Sequence, residues 1–203
     1  EGHRAGVDAV KRTVRACGEA GVRYLTLYTF SIENWNRPRE EVDVLMGLMV
    51  DAIVAETDEL MAQRVRVKAI GNLGALPAAV REKLGGLVER TAGNGGLTLV
   101  LALSYGSKWE IVEAAKRLAR DYAEGKVADL SGFGETDFAG YLTTAGIPDP
   151  DLLMWQLAYT ELFFIDKFWP DFEKDDLYLA IRNFQKRERR FGKTGEQLKS
   201  ENR

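Results

Sequence analysis

An α/β fold with a central, mostly parallel sheet flanked by helices is what this sequence predicts, on three observations. Residues 23–28, 65–70 and 97–103 are short runs rich in β-branched, aromatic and leucine side chains, and they read as strands. Each runs into a small polar turn, and each turn leads into a helical pattern. Right-handed crossovers then set all three turns along one edge of the sheet, the edge at which open α/β sheets bind ligands. A chain of 203 residues is long enough for one such domain with a sizeable core.

The elements follow in order. Residues 4–20 form an amphipathic helix, with Val7, Val10, Val14 and Cys17 at three- and four-residue spacing and Gly21 placed to end it. Lys11 and Arg15 fall on a solvated face. His3 and Arg4 stand at the N-terminal end, where free N–H groups and the helix dipole favour an anion. Residues 39–63 form a second helix, opened by Pro38, whose apolar positions cover more than one stripe. It is either buried in the core or one wall of a channel for a hydrocarbon, and periodicity does not choose. Gly47 in its middle suggests a close approach or a bend. A third helix spans 78–91 and a fourth 108–123, with Ser104-Tyr105-Gly106-Ser107 as the turn between the third strand and the fourth helix. A short helical piece falls near 135–142. Glu161-Leu162-Phe163-Phe164-Ile165 looks like another strand, and a last helix runs from 173 to 191 with a strongly basic end.

The turn after the first strand, Thr29-Phe30-Ser31-Ile32-Glu33-Asn34-Trp35-Asn36-Arg37-Pro38, is the centre of the chain. It gathers a hydroxyl, amides, an indole N–H, a carboxylate and a guanidinium at the end of a buried strand. That set suits a bound anion and a reacting group. The structural alternative is a loop that caps the next helix and packs Trp35.

Composition sets limits. Hydrophobic residues make up 45% and charged residues 29%, as in ordinary globular proteins, and the net charge of −3 argues against bulk nucleic-acid binding. Cys17 has no partner for an internal disulfide, which points to a reducing, cytoplasmic compartment and a small core residue. With His3 the only histidine, structural zinc has no ligand cluster. No stretch has the length of a membrane span. A nucleotide-binding reading lacks a Gly-rich fingerprint of the right spacing.

Several stretches together resemble one family. They are Gly2-His3-Arg4-Ala5-Gly6, Phe30 to Pro38, Ile147-Pro148-Asp149-Pro150-Asp151-Leu152, Trp155-Gln156-Leu157-Ala158-Tyr159-Thr160-Glu161, Phe168-Trp169-Pro170-Asp171-Phe172 and Arg187-Glu188-Arg189-Arg190-Phe191-Gly192. In order and spacing they are similar to the cis-prenyltransferases, bacterial undecaprenyl diphosphate synthase above all. The resemblance spans the whole chain and implies a single domain over 1–203. It implies a homodimer with an apolar tunnel under the sheet edge. It also implies extension of an allylic diphosphate, farnesyl diphosphate, by isopentenyl diphosphate in cis geometry with Mg²⁺. The product would be a long polyprenyl diphosphate, such as undecaprenyl diphosphate for a cell-wall lipid carrier, made in the cytoplasm or at the inner face of the membrane. By the same resemblance, His3 and Arg37 lie near the allylic diphosphate. Ser31, Asn34 and Trp35 surround the reacting centre, with Asn34 positioning or deprotonating the attacking group. Glu161 helps to hold Mg²⁺, Arg190 and Gly192 reach toward the diphosphates, and Leu45, Leu48 and Met49 line the tunnel.

Three departures accompany the resemblance. The family's Asp-Gly-Asn-Gly-Arg-Trp motif, with its Mg²⁺-binding aspartate, would lie before Glu1. Its Arg-Thr-Ser-Gly-Glu-type loop would lie between Leu153 and Met154, which here adjoin without a turn. Both are expected in the intact protein. The rival reading without them is a non-catalytic subunit of the same fold that binds lipid or a partner. Finally, Ser104-Tyr105-Gly106-Ser107-Lys108 stands where the family shows Asn-Tyr-Gly-Gly-Arg.

Overall fold

The computed structural model describes residues 2–148, 155 and 160–187, with the side chains of residues 2–4 and 49 outside that description. The junction between Leu153 and Met154, and Arg190 and Gly192, lie outside the described residues.

Among the described residues three parallel strands form the sheet: β1 (Tyr24–Ser31), β2 (Arg66–Ile70) and β3 (Thr98–Tyr105), in the order β1-β3-β2. The register runs from Tyr24 opposite Thr98 to Ser31 opposite Tyr105 on one side of β3, and from Arg66 opposite Thr98 to Ile70 opposite Ala102 on the other. Being central, β3 is buried at every position, which explains its almost wholly apolar sequence. All three strands end at one edge, as the strand–turn–helix pattern predicts.

Helices cover the sheet. Helix α1 (Gly2–Glu19) buries Ala9, Thr13, Val14, Ala16 and Cys17, and ends at Gly21 with φ +74°. The large core cluster joins Val14 and Cys17 to Leu27 and Phe30 of β1. It continues through Val42, Met46 and Val50 of α2 (Arg39–Ala55), Val80, Leu84 and Leu87 of α4 (Ala78–Thr91), and Leu99, Leu101 and Leu103 of β3. The opposite face of β3 holds a smaller cluster of Ile70, Val100, Ala102 and Tyr105, with Ile147 packed against it. Helix α5 (Ser107–Ala123) follows β3. Its buried Glu110 accepts hydrogen bonds from the Tyr105 hydroxyl and from the Thr143 N–H at 2.8 Å, so no polar group is stranded there. Burial, and next the bond to Glu110, drive the Tyr105 phenol far above its ordinary pKa. Burial alone pushes the Cys17 thiol up to about 11, in keeping with a core role rather than a nucleophile.

Several expectations need correction. The second helix is two, α2 and α3 (Thr57–Ala62), because the turn tightens at Glu56: its N–H bonds the Ile53 carbonyl, and the Thr57 hydroxyl takes the Val54 carbonyl at 2.5 Å. The break is therefore at Glu56 and not at Gly47, around which nothing lies within 4 Å of an added Cβ. Helix α2 is not buried all round: Val42, Met46 and Val50 form one inward stripe, while Val44 and Leu48 are 58% and 52% exposed. Ser104 and Tyr105 belong to β3 rather than to a turn. Residues 161–165 are outside the sheet, with Leu162 and Phe164 exposed, because an apolar, aromatic run makes a strand only where it joins a ladder. Helix α6 (Glu135–Ala139) begins where the short helical piece was expected and is shorter, and α7 (Lys174–Lys186) follows residues 161–165. Arg15 is exposed as expected and Lys11 is half-buried, and each is paired from α1 to the region of the helix break, Lys11 to Glu56 at 2.7 Å and Arg15 to Glu59 at 2.6 Å.

Candidate active site

The site is built at the end of β1. The strand runs through Phe30 and Ser31 before the chain turns into one 3-10 segment, Ile32–Asn36. Phe30 is buried, and Trp35 packs edge-on against it at 5.2 Å and 73°. The Trp35 indole N–H donates to the Ser104 hydroxyl at 2.8 Å. The Ser31 N–H donates to Asn34 Oδ1 at 2.9 Å, closing the first turn of that segment. Asn34 therefore has its oxygen engaged by backbone, and its amide hydrogens are what it offers a ligand. An amide so placed is a donor and a positioning group, not a base. Arg37 follows, half exposed, with one guanidinium nitrogen 3.0 Å from Glu41 one turn along α2. The loop caps and packs, as the structural alternative expects, and its Arg37 side chain is half exposed.

The neighbouring turns close against it. Gly71, after β2, has φ +108°, and a Cβ there would lie 2.1 Å from the Leu103 carbonyl oxygen, so only glycine fits. The Asn72 N–H donates to the Ser104 carbonyl at 3.1 Å. On the β1 side, the Thr29 hydroxyl donates to the Ala102 carbonyl and the Tyr28 hydroxyl to the Tyr105 carbonyl, each at 2.8 Å. Three strand ends are thus stitched into one composite edge.

Ser31, Asn34, Trp35 and Arg37 come together on this turn, and Leu45 and Leu48 sit on the helix that leaves it, Leu45 half-buried and Leu48 exposed. Met49 lies on the same helix, and His3 lies in the first turn of α1. Glu161 belongs to a different segment: its carboxylate is 3.5 Å from Arg187, whose other nitrogens bond the Leu162 carbonyl and Asn183. Among the described residues no three His, Cys, Asp or Glu side chains gather into a metal cluster. A charged groove of about 340 Å³ lies elsewhere, between α1, α3 and α7, and holds none of the predicted site residues. Sequence reasoning missed Ser104 as the partner of Trp35. The one signal for it was the departure of Ser104 from the asparagine of the family pattern.

A parallel sheet that brings three polar turns to one edge, with a cation and amide donors on the first, defines an α/β protein of the class whose ligand sites lie at that edge. Residues 1–192 match the family described as "Putative undecaprenyl diphosphate synthase", and the chain belongs to that family of prenyl-transferring enzymes. An isoprenyl transferase of Porphyromonas gingivalis is 53% identical over 211 residues, covering 98% of this chain and 83% of the relative. That span exceeds the 203 residues of the chain, so the relative carries residues within it that this chain does not. An isoprenyl transferase of Geobacter sulfurreducens is 45% identical, over 97% of this chain and 85% of its own. Among solved structures, lavandulyl diphosphate synthase from Lavandula x intermedia, in complex with dimethylallyl diphosphate, is 30% identical with a TM-score of 0.89, over 95% of this chain and 89% of that one. A probable undecaprenyl diphosphate synthase from Campylobacter jejuni is 32% identical with a TM-score of 0.78, over 94% and 93%. Among the described residues no helix is long and apolar enough to cross a membrane.

Proposed function

We propose that the enzyme extends an allylic diphosphate, farnesyl diphosphate, with isopentenyl diphosphate in cis geometry, working as a homodimer. The product would be a long polyprenyl diphosphate, undecaprenyl diphosphate for a cell-wall lipid carrier, made in the cytoplasm at the membrane's inner face. The observation that carries the reading is the half-exposed Arg37 guanidinium beside Asn34 at the carboxyl edge of a buried parallel sheet, in a chain of this family. In the reaction the allylic C–O bond breaks and its electron pair leaves with the diphosphate. The double bond of isopentenyl diphosphate forms the new C–C bond, and a proton is lost from the adjacent carbon.

Arg37 stabilises the charge that gathers on the leaving diphosphate through charge-assisted hydrogen bonds. The amide hydrogens of Asn34 and the hydroxyl of Ser31 orient the reacting groups, and Trp35 fixes the turn that carries them. His3, in the first turn of α1, adds a donor where the helix end already favours an anion. Arg190 and Gly192 would complete the grip on the diphosphates. Leu45, Leu48 and Met49 would line the path of the growing chain, and the exposed Leu48 and Val44 are the apolar surface available to it. Each added isoprene unit buries five carbons, worth on the order of 4 kcal/mol.

Glu161 fits a magnesium ion in one respect: it is a hard oxygen donor, half-buried, in a loose 3.5 Å pair with Arg187. Mg²⁺ typically takes one or two carboxylates plus phosphate oxygens, so Glu161 with the bound diphosphate would hold it. When bound, the ion supplies positive charge against the leaving diphosphate.

The test is incubation of the intact protein with farnesyl and labelled isopentenyl diphosphates, with and without Mg²⁺, followed by product sizing. Long-chain product is expected. Arg37→Ala should lower kcat/KM by at least roughly tenfold, as for loss of a charged hydrogen bond. Full activity of that variant would remove Arg37 from the site, and absence of any condensation by the wild type would overturn the reading.

A further inference from the structure

Among the described residues, only Arg64 and Ser104 combine a side chain with a left-handed backbone, at φ 55° and 47°. Arg64 sits in the turn before β2. Ser104 lies within β3, 1% exposed. Along this strand Leu99, Leu101 and Leu103 face the large cluster, and Val100 and Ala102 face the small one. Strict alternation would place Tyr105 with Leu103 and Ser104 with Ala102. Instead Tyr105 lies with Val100 and Ala102, and the Ser104 hydroxyl reaches Trp35, which packs on the large cluster. The left-handed step at Ser104 therefore exchanges the two faces for the last residues of the strand. The same residue's carbonyl accepts the Asn72 N–H. One strained, buried serine thus joins the turn after β1 to the turn after β2. Strain of this kind persists only where the surroundings impose it, and it concentrates at working sites.

We propose that Ser104 is a positioning residue for prenyl transfer: its hydroxyl accepts the Trp35 indole hydrogen bond and so sets the tilt of the turn that presents Asn34 and Arg37. Ser104 acts through Trp35 and not on the substrate, and the inference rests on the reading that this turn holds the diphosphates. Ser104→Gly separates the two features of the residue. It removes the hydroxyl while suiting the left-handed backbone, so the variant unfolds cooperatively like the wild type. Ser104→Asn restores a polar acceptor on a residue type that tolerates the same backbone. Trp35→Phe, alone and combined with Ser104→Gly, removes the donor.

The readouts are the Trp35 indole N–H resonance by NMR, assigned with Trp35→Phe, and kcat and KM for both diphosphates. In Ser104→Gly the resonance should shift and exchange faster with water, and kcat should fall by up to about tenfold, the range of one net hydrogen bond. Ser104→Asn should recover most of the loss, and the double variant should be no slower than Trp35→Phe. An unmoved resonance, a wild-type kcat in Ser104→Gly, or a loss that simply adds to that of Trp35→Phe would overturn the assignment. Should Trp35→Phe leave kcat and KM unchanged, the placement of substrate at this turn fails instead, whatever the resonance does.

Discussion

Two segments of this chain carry aromatic residues, and they are held in opposite ways. The turn after β1 is anchored from beneath: Phe30 is 4% exposed, Trp35 packs on it, and the indole is bonded to the neighbouring strand. The segment from Glu161 to Phe172 is pinned by its polar groups while two of its rings face outward, Phe164 84% and Phe168 82% exposed. Its fixed points are the Trp169 indole on the Gly6 carbonyl at 3.2 Å, Arg12 on the carbonyls of Pro170 and Phe172, and Lys167 on Asp176 at 2.8 Å. Aromatic density alone buries nothing. A ring is buried where a closed ladder supplies a floor for it, and β1 has that floor in β3, while among the described residues 161–165 pair with no strand.

The contrast can be broken first at Gly71. Gly71→Ala should destabilise the protein by at least about 3 kcal/mol, since the new Cβ meets the Leu103 carbonyl at 2.1 Å with φ at +108°. A shift in urea midpoint worth less than about 1 kcal/mol would mean that the three strand ends are not closed together. Next, Met46→Ala, under the first region, should cost about 2–5 kcal/mol, and Phe164→Ala, in the second, no more than about 0.5. Equal costs in chemical denaturation would erase the distinction.

The smallest effect is electrostatic. Asp176 is held below the usual aspartate range, first by the Lys167 ammonium and then by the Glu173 backbone N–H. A carboxyl lowered on folding adds stability that is fully present above its unfolded pKa of about 4 and is lost as the pH falls through the lower folded value. Asp176→Asn should therefore narrow the gap between the urea midpoints at pH 7 and pH 3. An unchanged gap would show that the pin on the second segment is mechanical and not ionic.

The edge-of-sheet site was legible because its determinants are local. The near-continuous apolar run at 97–103 signals a central parallel strand, and Ser31, Asn34, Trp35 and Arg37 share one short turn, so any fold that makes the turn brings them together. Other parts were not legible for reasons of the same kind. Residues 161–165 carry a strand's apolar and aromatic composition, but a ladder is a property of two segments. Helix α2 carries apolar residues on several faces, and only packing decides that Val42, Met46 and Val50 turn inward while Val44 and Leu48 do not. The hydrogen bond from Trp35 to Ser104 spans 69 positions and depends on a backbone angle that no residue pattern announces.

What the chain determined by itself is whatever depends on neighbours a few positions apart: strand, turn and helix in repetition, the chemistry gathered on one turn, and the motifs that place it in its family. What the tertiary structure alone decided is which apolar faces find partners, which expected strand stays outside the sheet, and how Ser104 is bent to reach Trp35. Local preferences are set by sterics within a few residues, whereas burial and ladder pairing are settled only when distant segments compete for the same surface.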